Sequence, residues 1–168
     1  MMKKCIAILS VLAFGFSSTA NAEIEKLSGP RIGVTTLTNG SISKTIDANF
    51  ISQYGWQFET SFAEGNDFSG LVEVVALAGG MEQGMLLPSM SSLIGIRQES
   101  GFEFAVGPNL SMSGLGMVAA VGHCYQSGSF NIPVNLSWVM SNDALGPESG
   151  HRVSLTVGFT LDEKKKYY

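Results

Sequence analysis

Residues 150–161 alternate without a break, and this alternation constrains the chain more than any other feature of it. His151, Val153, Leu155, Val157, Phe159 and Leu161 fall on one side, and Arg152, Ser154, Thr156, Gly158 and Thr160 on the other. A β-strand sends successive side chains to opposite faces, so the segment reads as a strand with an apolar and a polar face. Arg, Ser, Thr and Gly make a poor hydrophobic core. The apolar face is therefore expected to meet lipid and the polar face a lumen.

The same period marks seven further strands, at 30–38, 52–62, 71–78, 87–97, 102–106, 113–125 and 130–140. In the second, Tyr54, Trp56, Phe58, Thr60 and Phe62 oppose Gln57, Glu59 and Ser61. Elsewhere Val72 and Val74, Ile94 and Ile96, Phe102 and Phe104, Met117 and Val121, and Leu136 and Trp138 mark the outward face. Leu77 and Leu93 fall inward as apolar exceptions, and Pro88 weakens one end of the fourth strand because proline cannot donate to a ladder. Longer polar connections at 39–51, 79–86, 107–112 and 141–149 read as external loops, and those between them as tight turns. Gly79-Gly80 and Gly107-Pro108 are read as turn chemistry. An even number of strands with short turns at one end and longer loops at the other predicts an all-β fold, an eight-stranded antiparallel up-and-down transmembrane β-barrel over 23–161.

The chain opens with Met1-Met2-Lys3-Lys4, an apolar run from Cys5 to Phe16, and Ala20-Asn21-Ala22. That is the pattern of a signal peptide over 1–22, with cleavage near Ala22. The apolar run is short for a membrane-spanning helix of about 20 residues. Residues 162–168 form a charged tail.

Composition enters where alternation is ambiguous, because soluble β-sandwiches alternate too. Hydrophobic residues make up 45% of the chain and charged residues 14%. A soluble domain usually has about a quarter of its residues charged, and this deficit favours the membrane. The formal net charge of −4 argues against nucleic acid as a partner. Cleavage leaves Cys124 as the single cysteine, which excludes an intrachain disulfide and a zinc site built on paired cysteines.

Several segments carry a family resemblance: Gly29-Pro30-Arg31-Ile32-Gly33-Val34-Thr35, Ser52-Gln53-Tyr54-Gly55-Trp56-Gln57-Phe58-Glu59, Val106-Gly107-Pro108-Asn109 and Asn131-Ile132-Pro133-Val134-Asn135. The chain resembles the small eight-stranded outer-membrane barrels of the OmpX and OmpA transmembrane-domain type, and a group of such barrels from Bacteroidetes-like bacteria. The resemblance implies a porin-like fold in a Gram-negative outer membrane. It brings no catalytic residues and no cofactor. Barrels of this kind often end on an aromatic residue, whereas here Phe159 is followed by nine more residues.

The candidate site is the set of inward charges, Arg31, Glu59, Glu73, Arg97, Glu103 and Arg152. Charges in a narrow lumen are costly unless paired, and three of each sign predict a neutralised plug. The sharper alternative is a gate or a polar ligand site. Tyr54, Trp56, Phe58, Phe102, Phe104, Trp138 and Phe159 are expected at the lipid interface. Glu148-Ser149-Gly150-His151 holds the residue types of a rim-located lipid-modifying enzyme, a weak signal since common polar residues in a loop assure no contact between nucleophile and base. His123 and Tyr125 suit an interfacial belt, and the Met81–Met90 stretch either dips into lipid or meets a partner. The expected function is a structural or interaction role without catalysis. Outer-membrane lipid and an envelope or extracellular protein are the partners, met through the loops. The alternatives are the rim enzyme centred on His151 and a soluble periplasmic sandwich binding an apolar ligand.

Overall fold

A computed structural model describes residues 26–37, 50–64, 67–112, 114–127, 130–140 and 150–162. The signal-peptide, tail and 141–149 loop expectations lie outside these residues, as do Glu148 and Ser149. Among the described residues nine strands form one sheet: β1 (Lys26–Leu37), β2 (Phe50–Glu64), β3 (Phe68–Gly79), β4 (Leu87–Gln98), β5 (Phe102–Ser111), β6 (Gly114–Ser127), β7 (Phe130–Met140), β8 (Arg152–Gly158) and β9 (Thr160–Asp162). Each strand from β1 to β7 pairs antiparallel with the next along the chain, and β1 pairs with both β2 and β8, so the sheet closes on itself. β8 and β9 each run between β1 and β7 and are two halves of one stave interrupted at Phe159. The architecture is a closed eight-stave antiparallel barrel. Closure removes the sheet edges that a sandwich would keep.

β1 to β7 run from 10 to 15 residues, enough for the 9–11 or so that a tilted strand needs to cross a bilayer. No helix among the described residues is long and apolar enough to cross a membrane. The barrel has a terminal end, where β1 begins and β9 finishes, and a loop end opposite. At the terminal end the β4–β5 turn closes through Gly101 N–H to Gln98 O (2.8 Å), with Gly101 at φ 94°.

One loop expectation is corrected. Gly107, Pro108 and Asn109 lie inside β5, which runs on to Ser111 and pairs with β6 throughout. Only 112–113 connect β5 to β6, so no external loop spans 107–112. Two local facts let turn-type residues sit in a strand. A Cβ at Gly107 would lie 1.9 Å from Ser92 O, so the strands approach where only glycine fits. Pro108 faces outward, at a gap in the β4–β5 ladder between Ser91↔Asn109 and Ile94↔Val106 where no N–H is needed. Pro88 also lies within its strand, paired with Ala78. The break at Phe159 has a related cause. A Cβ at Gly29 would lie 1.8 Å from Phe159 O, and Phe159 N–H still donates to Pro30 O (3.1 Å).

Candidate functional site

Alternation divides the side chains between two environments. Outward, Tyr54, Trp56, Phe58, Phe102, Phe104, Trp138 and Phe159 are all exposed. Ile32, Ile94, Ile96, Leu115, Leu136 and Leu155 are exposed as well. So many large apolar groups facing outward far exceed the contiguous patches a monomeric soluble protein tolerates. Ala76 and Ala78 leave a shallow groove in this wall, between Tyr54 and Trp56 on one side and Met90, Leu110 and Met112 on the other. His123 stacks on Tyr125 (ring centroids 4.4 Å apart), and His151 lies 5.8 Å from Trp138. Cys124 is a buried free thiol.

Inward, the lumen holds three layers. The terminal half carries five of the six candidate charges. Arg97, reached from β4, binds two carboxylates: its Nη2 donates to Glu59 Oε2 (2.8 Å) and its Nε to Glu103. Arg97 Nη1 lies 2.6 Å from Glu59 Oε1, in ion-pair contact but not hydrogen-bond alignment. Gln57 donates to the same Glu59 (3.1 Å). Arg31 finds neutral partners. Its Nη1 donates to Pro133 O (3.3 Å), and its Nη2 donates to the Asn135 side-chain oxygen (3.2 Å) when that amide is turned so that its nitrogen meets Val134 O. Glu73 is buried and stands directly across from Glu59 in the β2–β3 register. Among the described residues three carboxylates and two guanidiniums therefore share this layer, and ion pairs join only Arg97, Glu59 and Glu103. Arg97 is the member that reaches solvent, through a polar cavity of about 390 Å³ at the terminal mouth lined also by His123, Cys124 and Asn131.

The middle layer is apolar. Leu93, Ala105, Val118 and Val139 form a buried cluster, with Val75 packed against it. The inward Leu93, an exception to the polar-lumen rule, thus belongs to a small core that alternation alone does not announce. Above it, at the loop end, Arg152 Nη2 donates to Asn109 Oδ1 (2.9 Å), and Asn109 Nδ2 donates to Ser91 Oγ (2.9 Å). Thr35 and Ser154 share a hydroxyl hydrogen bond of 2.6 Å in the β1–β8 wall. The six charges are therefore split, five in one layer and Arg152 apart from them. Asn109, Ser91, Gln57 and Asn135 are polar partners that the sequence did not single out. Charge marked the arginines and carboxylates, whereas a neutral amide is marked only by which strand faces which. Among the described residues no cluster of three or more His, Cys, Asp or Glu is placed to hold a metal ion.

Outside the lumen, a one-turn 3-10 helix, Met81–Gln83, caps the loop end between β3 and β4. Glu82 accepts from Ser52 Oγ (2.5 Å) and from Ser52 N–H (2.6 Å) on β2. The Ser52 hydroxyl, and then its amide, hold this exposed carboxyl below its ordinary range. The folded-state value is lowered, so the clamp is fully present above the unfolded value, about 4.3, and is lost as pH falls through the lower folded value. The Ser52 amide resonance should therefore hold its position through pH 5 and move only at more acid pH. In Glu82→Gln it should be pH-independent over that range. Movement centred above pH 5 would show that Glu82 is not its partner.

No protein-family model matches the chain, and no curated protein matches it. Solved structures do. The crystal structure of Ail, the attachment invasion locus protein of Yersinia pestis, aligns at 9% identity over 83% of this chain and 97% of that one, with a TM-score of 0.54. Ail in complex with the heparin analogue sucrose octasulfate aligns over the same shares at 9% identity and a TM-score of 0.51. Neisserial surface protein A aligns at 9% identity over 82% of this chain and 95% of that one, with a TM-score of 0.47. The likeness to Ail is one of fold: this chain has the architecture of a small outer-membrane β-barrel.

Proposed function

We propose that this protein resides in a bacterial outer membrane and acts by contact, with its loop end as the meeting surface for an envelope or extracellular partner. In this reading it neither catalyses nor conducts. The observation that carries it is the pairing of an outward wall of exposed apolar side chains with a lumen filled in three successive layers. An apolar outer band is what a lipid-embedded barrel presents. A lumen filled, among the described residues, by an ion-paired layer, an apolar layer and a polar layer supports a bore without conduction. Ail is named for attachment and invasion, and attachment is the part of that name extended to this chain. His151 lies against Trp138 in the outward wall, a setting for an interfacial ring, and the proposed role assigns it no chemistry.

The test is a heat-modifiability gel on separated cell fractions. The protein is expected in the outer-membrane fraction, with a different mobility in mild SDS before and after boiling, since a closed barrel resists SDS until heated. Recovery in osmotic-shock fluid, with no boiling-dependent shift, would overturn the location and the contact role with it.

A further inference from the structure

We propose that Arg152 anchors a binding site for a small oxyanion, phosphate-like or carboxylate-like, at the loop end of the lumen. This goes beyond the contact role and holds whatever the loops bind. Arg152 projects inward from β8 at a level where its register partner on β7 is Val139, a member of the apolar layer. Its backbone is thus level with that layer. Among the described residues it has one hydrogen-bond partner, the neutral Asn109 oxygen, and no carboxylate within ion-pair distance. Its Nε is buried and bonded to nothing. A half-buried guanidinium with a neutral partner and an unused N–H is costly. The cost falls when an anion takes the free edge, because the planar fork of N–H groups matches two oxygens at once.

The surroundings hold the guanidinium in place. Asn109 is buried, and Ser91 fixes its amide so that the oxygen must face Arg152. One Nη is thereby tied and the cation is held across the bore between β8 and β5. The other charged group described at this end, Glu82, is engaged with Ser52. The five-charge layer lies on the far side of the apolar cluster, so its excess carboxylate cannot serve as counter-ion. A lipid phosphate would have to leave the outer wall to reach a lumen side chain, so the ligand is a free anion entering from the loop end.

The test uses the full refolded chain in neutral detergent, with arginine Nε–Hε resonances followed by NMR as inorganic phosphate is added at constant ionic strength. One resonance, identified by its absence in Arg152→Gln, should shift and saturate, and phosphate should raise the unfolding midpoint in step with its occupancy. Asn109→Asp keeps the side-chain shape and supplies an internal carboxylate. It should abolish the phosphate shift and raise the midpoint without phosphate, and it carries the test if Arg152→Gln does not refold. The proposal is overturned if the Arg152 resonance does not saturate with phosphate, or if Asn109→Asp binds phosphate like the parent. It is also overturned if a short-chain phosphatidic acid in the micelle moves the resonance and free phosphate does not. A shift of the same resonance on neutralising Asp47, Asp143 or Glu148 would equally overturn it, since the anion would then be the chain's own.

Discussion

Replacing Arg97 with Met is expected to cost the barrel about 3–5 kcal/mol, the usual penalty for removing one partner of a buried ion pair. Among the described residues, Arg97 is the single side chain bonded to both Glu59 and Glu103. Without it, Glu59, Glu73 and Glu103 would share the terminal half of the lumen with Arg31 alone, whose hydrogen bonds go to Pro133 and Asn135. The uncompensated charge left behind, rather than the lost bonds, makes the effect large. Glu73→Gln should act in the opposite direction. It removes one charge from a layer with a carboxylate in excess and relieves the like-charge pair with Glu59 across β2 and β3, so stability should stay level or rise. Urea midpoints of the refolded barrels in detergent measure both. An Arg97→Met barrel within about 1 kcal/mol of the parent, the range of an exposed pair, would show that the layer is solvated.

Gly107→Val should prevent folding outright. Ordinary overpacking costs about 1–3 kcal/mol because neighbouring side chains can move aside. Here the added Cβ would meet Ser92 O, a backbone atom of the adjoining stave, at 1.9 Å. Relief would require β4 and β5 to separate where Pro108 already leaves a gap in their ladder. The folded, faster-migrating band on an unboiled gel should be absent. Pro108→Ala is the control: its side chain faces out and makes no ladder bond to β4, so the band should persist. A Gly107→Val protein that refolds with the parent's urea midpoint would mean that the two staves do not approach this closely.

These residues also show how far the sequence could be read. The barrel was legible because a strand has a strict period of two and lipid demands an apolar partner at every second position. Tyr54, Trp56 and Phe58 therefore declare their own face. Local composition failed at Gly107-Pro108-Asn109, where turn residues occupy a strand for a reason seated on another strand, the position of Ser92 O. The site was legible as a list of charges and illegible as a set of contacts. Arg97 and Glu59 lie 38 positions apart, and Arg152 and Asn109 lie 43 apart. Which of them meet depends on how far each stave is displaced along its neighbour, and side-chain alternation is blind to that displacement.

The hydroxyl bond between Thr35 and Ser154 spans 119 positions of sequence, and it belongs to the seam that makes the sheet a cylinder. All the other staves join partners adjacent along the chain, through connections that cost little entropy to close. The seam joins the first stave to the last, so its loop is nearly the whole molecule and its contacts raise the mean sequence separation on which folding rate depends. A growing chain can pair its inner hairpins early. It cannot become a cylinder until β8 and β9 are present. Until then it carries two unsatisfied edges, open to wrong partners or to whatever machinery holds them apart.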